Sequence, residues 1–111
     1  MSRIVRRDDQ TVIMVEQNII STTAKDFREE LLAMIKPDTK ELIIDLTGVE
    51  MIDSVGLGVF IATHNGLNKI EGKLKVINVA PNILNLFKTM GLDRHFEVVG
   101  TGDIESIEND V

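Results

Sequence analysis

The chain has 111 residues, of which 43% are hydrophobic and none is cysteine, and its formal net charge is −6. This length suits one domain with a real core, and the lack of cysteine excludes disulfide frameworks, thiol catalysis and cysteine-based metal sites. The acidic balance argues against nucleic acid and membranes as partners, and with no signal peptide or long apolar run we expect a cytoplasmic protein.

The N-terminal third predicts a β-hairpin followed by a helix. Two strands, over residues 3–7 and 11–16, are separated by a polar turn. The second strand is apolar on both faces, which is typical of a central strand covered on both sides or nearly so. Thr23 is predicted to cap a helix, with Asp26 three residues later as an acidic variant of the capping box, and Pro37-Asp38 to end that helix.

The rest of the chain alternates strands with helices. Strands are predicted over residues 41–46, 73–79 and 95–99, and helices over residues 55–72 and 81–91. The order ββαβαβαβ requires right-handed crossovers, so we predict an α/β fold with a mixed, mainly parallel sheet of four to five strands and helices packed against it. The domain is expected to occupy residues 1–99, and residues 100–111 to form an acidic C-terminal tail, at most a short or frayed helix.

The segment from Asp53 to Gly58, which we call the serine corner, follows the buried strand 42–46. Its pattern predicts a loop that turns into a helix, with Asp53 and Ser54 at the N-cap. Ser54 is thereby placed on an exposed corner at the end of a parallel strand, where open α/β sheets present their sites.

No residue pattern supplies a base that would activate Ser54. His64 lies ten residues into the same predicted helix, about 15 Å along its axis at roughly 1.5 Å per residue. His95 is better interpreted as a packed or solvated histidine. The two glycines of the corner lack the third glycine of a dinucleotide loop, and no Walker lysine or metal-ligand spacing is present. We therefore predict a protein that is not an enzyme, with no cofactor and no metal.

Two interpretations of Ser54 remain open from the residues alone. A serine at an N-cap stabilises a helix by roughly 1 kcal/mol and needs no further role. Alternatively, Ser54 accepts a phosphate, which adds about −1.5 to −2 charges that a helix N-terminus tolerates. The flanking residues offer a small, low-relief surface that a partner could cover: Val55, Gly56, Leu57 and Gly58.

Four segments carry a resemblance to a known family: residues 42–46, 51–59 with its Asp-Ser-x-Gly motif, 74–81 and 86–92. On these segments the chain resembles the STAS domain family, in particular the bacterial anti-sigma factor antagonists, over about residues 4–99. The resemblance implies a STAS-like domain that takes part in a partner switch.

The resemblance also implies partners and site residues. The unphosphorylated protein would bind an anti-sigma factor, a serine kinase of the histidine-kinase-like ATPase fold, and would be released when phosphorylated on Ser54. A metal-dependent serine phosphatase would reset the switch. The family's site residues correspond to Asp53, Ser54 and Gly56, and the chain alone is expected to be a monomer or weak dimer.

The chain departs from the family in the loop before the first helix. The family usually has Gly-x-Leu/Ile-Asp there, whereas this chain has Gln17-Asn18-Ile19-Ile20, so Ile20 replaces the acidic residue. Because this loop borders the serine corner, we expect Ile20 and Ser21 to contact the partner in a different way, with Ile20 facing either the partner or the core.

Two alternatives from other classes stay open. The chain could be a constitutive STAS subunit of a larger assembly, a signalling complex or a lipid-transport machine, in which Ser54 is only a helix cap. Retention of a partner regardless of phosphorylation would favour that hypothesis. It could also be a nucleotide or small-molecule sensor that uses the same corner, which saturable nucleotide binding would favour.

Overall fold

The computed structural model describes residues 2–7 and 9–101, which form a five-stranded sheet with helices packed against it. The predicted element order and the α/β fold class are confirmed. The strands are β1 (Ser2–Arg7), β2 (Gln10–Val15), β3 (Glu41–Asp45), β4 (Lys73–Val79) and β5 (Glu97–Gly100). The helices are α1 (Ala24–Met34), α2 (Ser54–Asn68) and α3 (Pro81–Thr89), and a 3₁₀ turn spans Leu92–Arg94.

The strands follow one another across the sheet in the order β1-β2-β3-β4-β5. The predicted hairpin is confirmed, since β1 runs antiparallel to β2 and Arg7 pairs with Gln10. The other neighbours are parallel, and right-handed crossovers between them place α1, α2 and α3 on the same face of the sheet. The loops that follow β2, β3 and β4 therefore meet at one edge.

The core lies between this face of the sheet and the helices. Each helix contributes one phenylalanine ring to the core. The Phe60 ring packs against both Phe27 and Phe87, with ring centroids 5.9 and 5.3 Å apart respectively. All three are fully buried in one core with the apolar side chains of the central strands. Because Phe60 lies on α2, this packing fixes the helix that begins at the serine corner.

The sheet corrects one prediction about β2. Ile13 and Val15 are buried, whereas Val12 and Met14, which alternate with them, are only half-buried. The strand is therefore covered by helices on one face, not on both. An unbroken apolar run is compatible with both arrangements, because apolar residues on both faces of a strand do not reveal whether the second face is buried or partly solvated.

The predicted ends of the elements hold to within a few residues. Helix α2 continues through Asn65 and Gly66 as predicted but ends at Asn68, because Glu71 takes a left-handed conformation and the Gly72 amide donates to Leu67 O at 2.8 Å. The acidic tail predicted from residue 100 lies, from residue 102 onward, outside the described residues. No helix in the described part of the chain is both long and apolar enough to cross a membrane.

Candidate functional site at the serine corner

The serine corner lies where the loop after β2 meets the loop after β3. Ile19 and Ile52 form an isolated parallel bridge between these loops. The Ile19 amide donates to Met51 O at 3.1 Å, and the Asp53 amide donates to Ile19 O at 3.3 Å. The two loops are thus joined through their backbones directly before α2 begins.

Asn18 strengthens this junction, a role that the sequence analysis missed. Its Oδ1 accepts from the amides of Glu50 and Met51 at 2.8 and 3.0 Å. Asn82, at the start of α3, donates from its side chain to Glu50 O at 3.2 Å. A short amide side chain just after a strand commonly binds nearby backbone, which is the pattern that could have indicated Asn18.

Thr23 occupies the N-cap position of α1, as predicted, but its side chain binds the same loop and not the helix. No side-chain cap bond is made from Thr23 to the first turn of α1, so the predicted capping box with Asp26 is wrong. The Thr23 hydroxyl instead donates to Asn18 O at 2.6 Å and accepts from the Ile20 amide at 3.0 Å. The half-buried Ile20 also supplies its carbonyl to the amides of Thr23 and Ala24, so its backbone belongs to this turn.

Asp53 connects α2 to the loop after β2. One carboxylate oxygen accepts from the Gly56 amide at 2.9 Å, which makes Asp53 the N-cap, and the other accepts from the Ser21 amide at 2.8 Å. The hydrogen bond from the Gly56 amide is the main cause that lowers the pKa of Asp53. Burial, the next largest effect, opposes this shift, and the bond from the Ser21 amide lowers the pKa further. The ionised carboxylate thus holds both segments.

We expect Asp53→Asn to lower the melting temperature at neutral pH, because an amide offers one acceptor oxygen to two amide donors. The folded-state pKa of Asp53 lies below its unfolded value, so its stabilisation is present above the unfolded pKa and is lost as pH falls through the folded pKa. Thermal unfolding followed by circular dichroism should show the gap between wild type and variant widest above about pH 5 and narrowing below about pH 4. A gap that stays constant into acid would contradict this role.

Ser54 is the first residue of α2 and does not share the cap. Asp53 alone occupies the N-cap position, so the prediction that Ser54 also caps the helix is wrong. The Ser54 side chain is exposed, and none of the hydrogen bonds within residues 2–7 and 9–101 uses its hydroxyl. The oxygen stands at the positive end of the helix dipole, where an added negative charge is tolerated.

The other predicted surface residues divide into two groups. Val55 is 51% exposed, and Ser21 and Gly58 are also exposed, so these three lie on the surface beside Ser54. Gly56 and Leu57 are buried, so the prediction that they form part of the partner-binding surface is wrong. They pack beneath the serine corner. A Cβ atom at Gly56 would overlap the carbonyl oxygen of Ile19, which explains why glycine is needed there.

The two histidines form a separate cluster. His64 contacts both His95 and Phe96, with ring centroids 5.8 Å apart in each pair. His64 lies in the second half of α2 and His95 precedes β5, so neither is placed beside Ser54 at the start of α2. The hydroxyl therefore has no histidine to activate it as a nucleophile.

This fold and this site define a small α/β domain that presents an exposed serine at a helix N-terminus. Residues 2–106 match the model of the STAS domain. The chain therefore belongs to the STAS domain family, as the sequence motifs predicted.

Relatives and solved structures agree with this assignment. The chain is 33% identical over 70 residues to the anti-sigma-B factor antagonist of Staphylococcus aureus, a match that covers 63% of this chain and 65% of that relative. A crystal structure of an anti-sigma factor antagonist from Mycobacterium paratuberculosis has a TM-score of 0.79 and 28% identity, covering 89% of this chain and 84% of that one. The fold also occurs in the murine anion transporter Slc26a9, at a TM-score of 0.75 and 16% identity over 86% of this chain and 17% of the transporter.

Proposed function

We propose that this protein is a regulator in a partner-switching pathway. In its unphosphorylated form it binds an anti-sigma factor that is a serine kinase of the histidine-kinase-like ATPase fold. Phosphorylation of Ser54 releases the kinase, and a metal-dependent serine phosphatase restores the binding form. The relatives that are named anti-sigma-B factor antagonists support the regulatory part of this proposal.

The proposal depends on one observation: Asp53 makes the structural hydrogen bonds at the start of α2, whereas the Ser54 hydroxyl makes none within the described residues. Asp53 caps α2 and holds Ser21, so the fold does not depend on the hydroxyl of Ser54. That hydroxyl is exposed and reachable by a kinase. A serine that caps its helix would be costly to modify, whereas this one can be modified without loss of a structural hydrogen bond.

A phosphate at this position would change the surface while leaving the fold intact. It would add about −1.5 to −2 charges to a surface that already carries the carboxylate of Asp53. The amides at the start of α2 and the helix dipole offset this charge within the folded protein. A partner that covers Ser54 would have to desolvate the phosphate, which favours dissociation.

Capture of the tagged protein from its own cells tests this proposal. We expect wild type and Ser54→Ala to retain a kinase of the stated fold, identified by mass spectrometry, and Ser54→Asp to lose it. Phosphopeptide analysis should place phosphate on Ser54 and not on Ser2, Ser21 or Ser106. Equal retention of the same proteins by all three forms would instead identify a constitutive subunit and contradict the switch.

A further inference from the structure

A groove runs between α1 and α2 and opens beside the serine corner. Its walls are formed by Ser21, Ala24, Lys25 and Arg28 on one side and by Val55, Gly58, Val59 and Ala62 on the other. Gly58 leaves its wall of the groove open, since a Cβ atom built there meets no atom within 4 Å. The groove can therefore receive a side chain from outside without a rearrangement of the helices.

Three exposed apolar side chains lie in the groove or on the two helices that form it. Val55 at its mouth is 51% exposed. Leu32 lies one turn beyond Arg28 on α1 and is 47% exposed, and Ile61 on α2 is 42% exposed. Contiguous apolar surface rimmed by polar groups is typical of a protein–protein contact.

Charge on α1 is divided between two sides. Lys25 and Arg28 line the groove, and neither takes part in an ion pair within the described part of the chain. The acidic residues Asp26, Glu29 and Glu30 line a different depression together with Ser2 and Gln17. The groove is therefore locally basic on a chain whose net charge is −6.

We propose that the groove docks an acidic, amphipathic helix of the partner protein. An apolar side chain of that helix occupies the space above Gly58 between Val55 and Ala62, and carboxylates beside it pair with Lys25 and Arg28. Complementary charge selects the partner and steers its approach, while the apolar anchor supplies the affinity. This inference rests on the proposed function, to which it adds the chemistry of the partner.

The position of the groove also explains why phosphorylation of Ser54 would release the partner. Val55, at the groove mouth, directly follows Ser54, so a phosphate on Ser54 stands at the entrance. There it attracts the same two cations that the partner's carboxylates need and repels those carboxylates. An acidic partner segment is thus displaced by charge alone, with no change of fold.

Nuclear magnetic resonance titration with designed peptides tests the proposal. The probes are two peptides of about 16 residues, with leucines at matched helical positions and either glutamate or lysine elsewhere. We expect the glutamate peptide to bind saturably and to shift the backbone amide resonances of Arg28, Val55 and Gly58. The lysine peptide should leave these resonances in place, and Ser54→Asp should weaken binding of the glutamate peptide.

Two matched pairs of variants locate the contact. Replacing Lys25 and Arg28 by glutamine should lower affinity about threefold to tenfold, whereas the same replacement at the exposed Lys69 and Arg94 should not. Gly58→Leu should fill the groove and abolish the shifts, whereas Asn65→Leu, at an exposed position of the same helix, should not. Melting curves establish that each variant is folded.

The inference is overturned if the glutamate peptide fails to bind, if both peptides bind equally, or if the shifts lie away from the groove. Loss of peptide binding together with Ser54-dependent capture of a kinase would refute the groove alone. Peptide binding without any Ser54-dependent capture would refute the proposed function alone.

Discussion

Gly56→Ala should destabilise the protein although alanine is the better helix former. The methyl group would overlap the Ile19 carbonyl oxygen, which is backbone and is held by the bridge between the two loops. Relieving the overlap must separate α2 from the loop after β2, at a cost of about 1–3 kcal/mol. Thermal unfolding should show a melting temperature lower by about 4 °C or more for a domain of this size.

Gly58→Ala is the matched control, two residues further along the same helix. Open space surrounds this position, so the added methyl group removes only unfolded-state entropy and should stabilise the protein by up to about 1 kcal/mol. Opposite signs for the two substitutions are the expected result. A neutral or stabilising effect of Gly56→Ala would show that the loop after β2 is not held against α2.

Ser54→Ala and Ser54→Asp should both leave stability within about 0.5 kcal/mol of wild type, because Asp53 alone caps the helix. Their effects on the partner should differ sharply. Ser54→Ala is small and neutral and should bind as wild type does. Ser54→Asp should bind more than about tenfold more weakly, which corresponds to about 1.4 kcal/mol, because its charge is desolvated in the complex without a partner.

Melting curves and a binding titration together distinguish this account from a capping role. If Ser54 were a cap, alanine would be the destabilised variant and aspartate would resemble wild type in both measurements. A Ser54→Ala form that melts well below wild type would therefore contradict the assignment of the cap to Asp53.

Much of the fold was predictable because it depends on local patterns. The strand and helix order and the hairpin each follow from periodicity and turn residues close together in sequence. The place of Ser54 at the start of α2 was predictable for the same reason. Which of two adjacent polar residues caps a helix depends on a backbone angle that periodicity does not encode. The prediction that Asp53 and Ser54 share the cap is wrong for this reason.

The contacts that shape the site were not predictable because they join residues far apart in sequence. Asp53 binds Ser21 and Asn18 binds Glu50, each across a separation of 32 residues. The burial of Gly56 depends on the position of Ile19, which only the folded loops define. Lys25 and Arg28, three residues apart on α1, indicate a shared helix face, but their proximity to the serine corner depends on how α1 packs against α2.

The most direct test of the central claim is to compare the same protein with and without phosphate on Ser54. The kinase retained by the unphosphorylated form would be titrated with both forms, and circular dichroism would establish that their folds are the same. We expect the unphosphorylated form to bind and the phosphorylated form to bind more than about tenfold more weakly at equal stability. Equal affinity of the two forms would contradict this expectation.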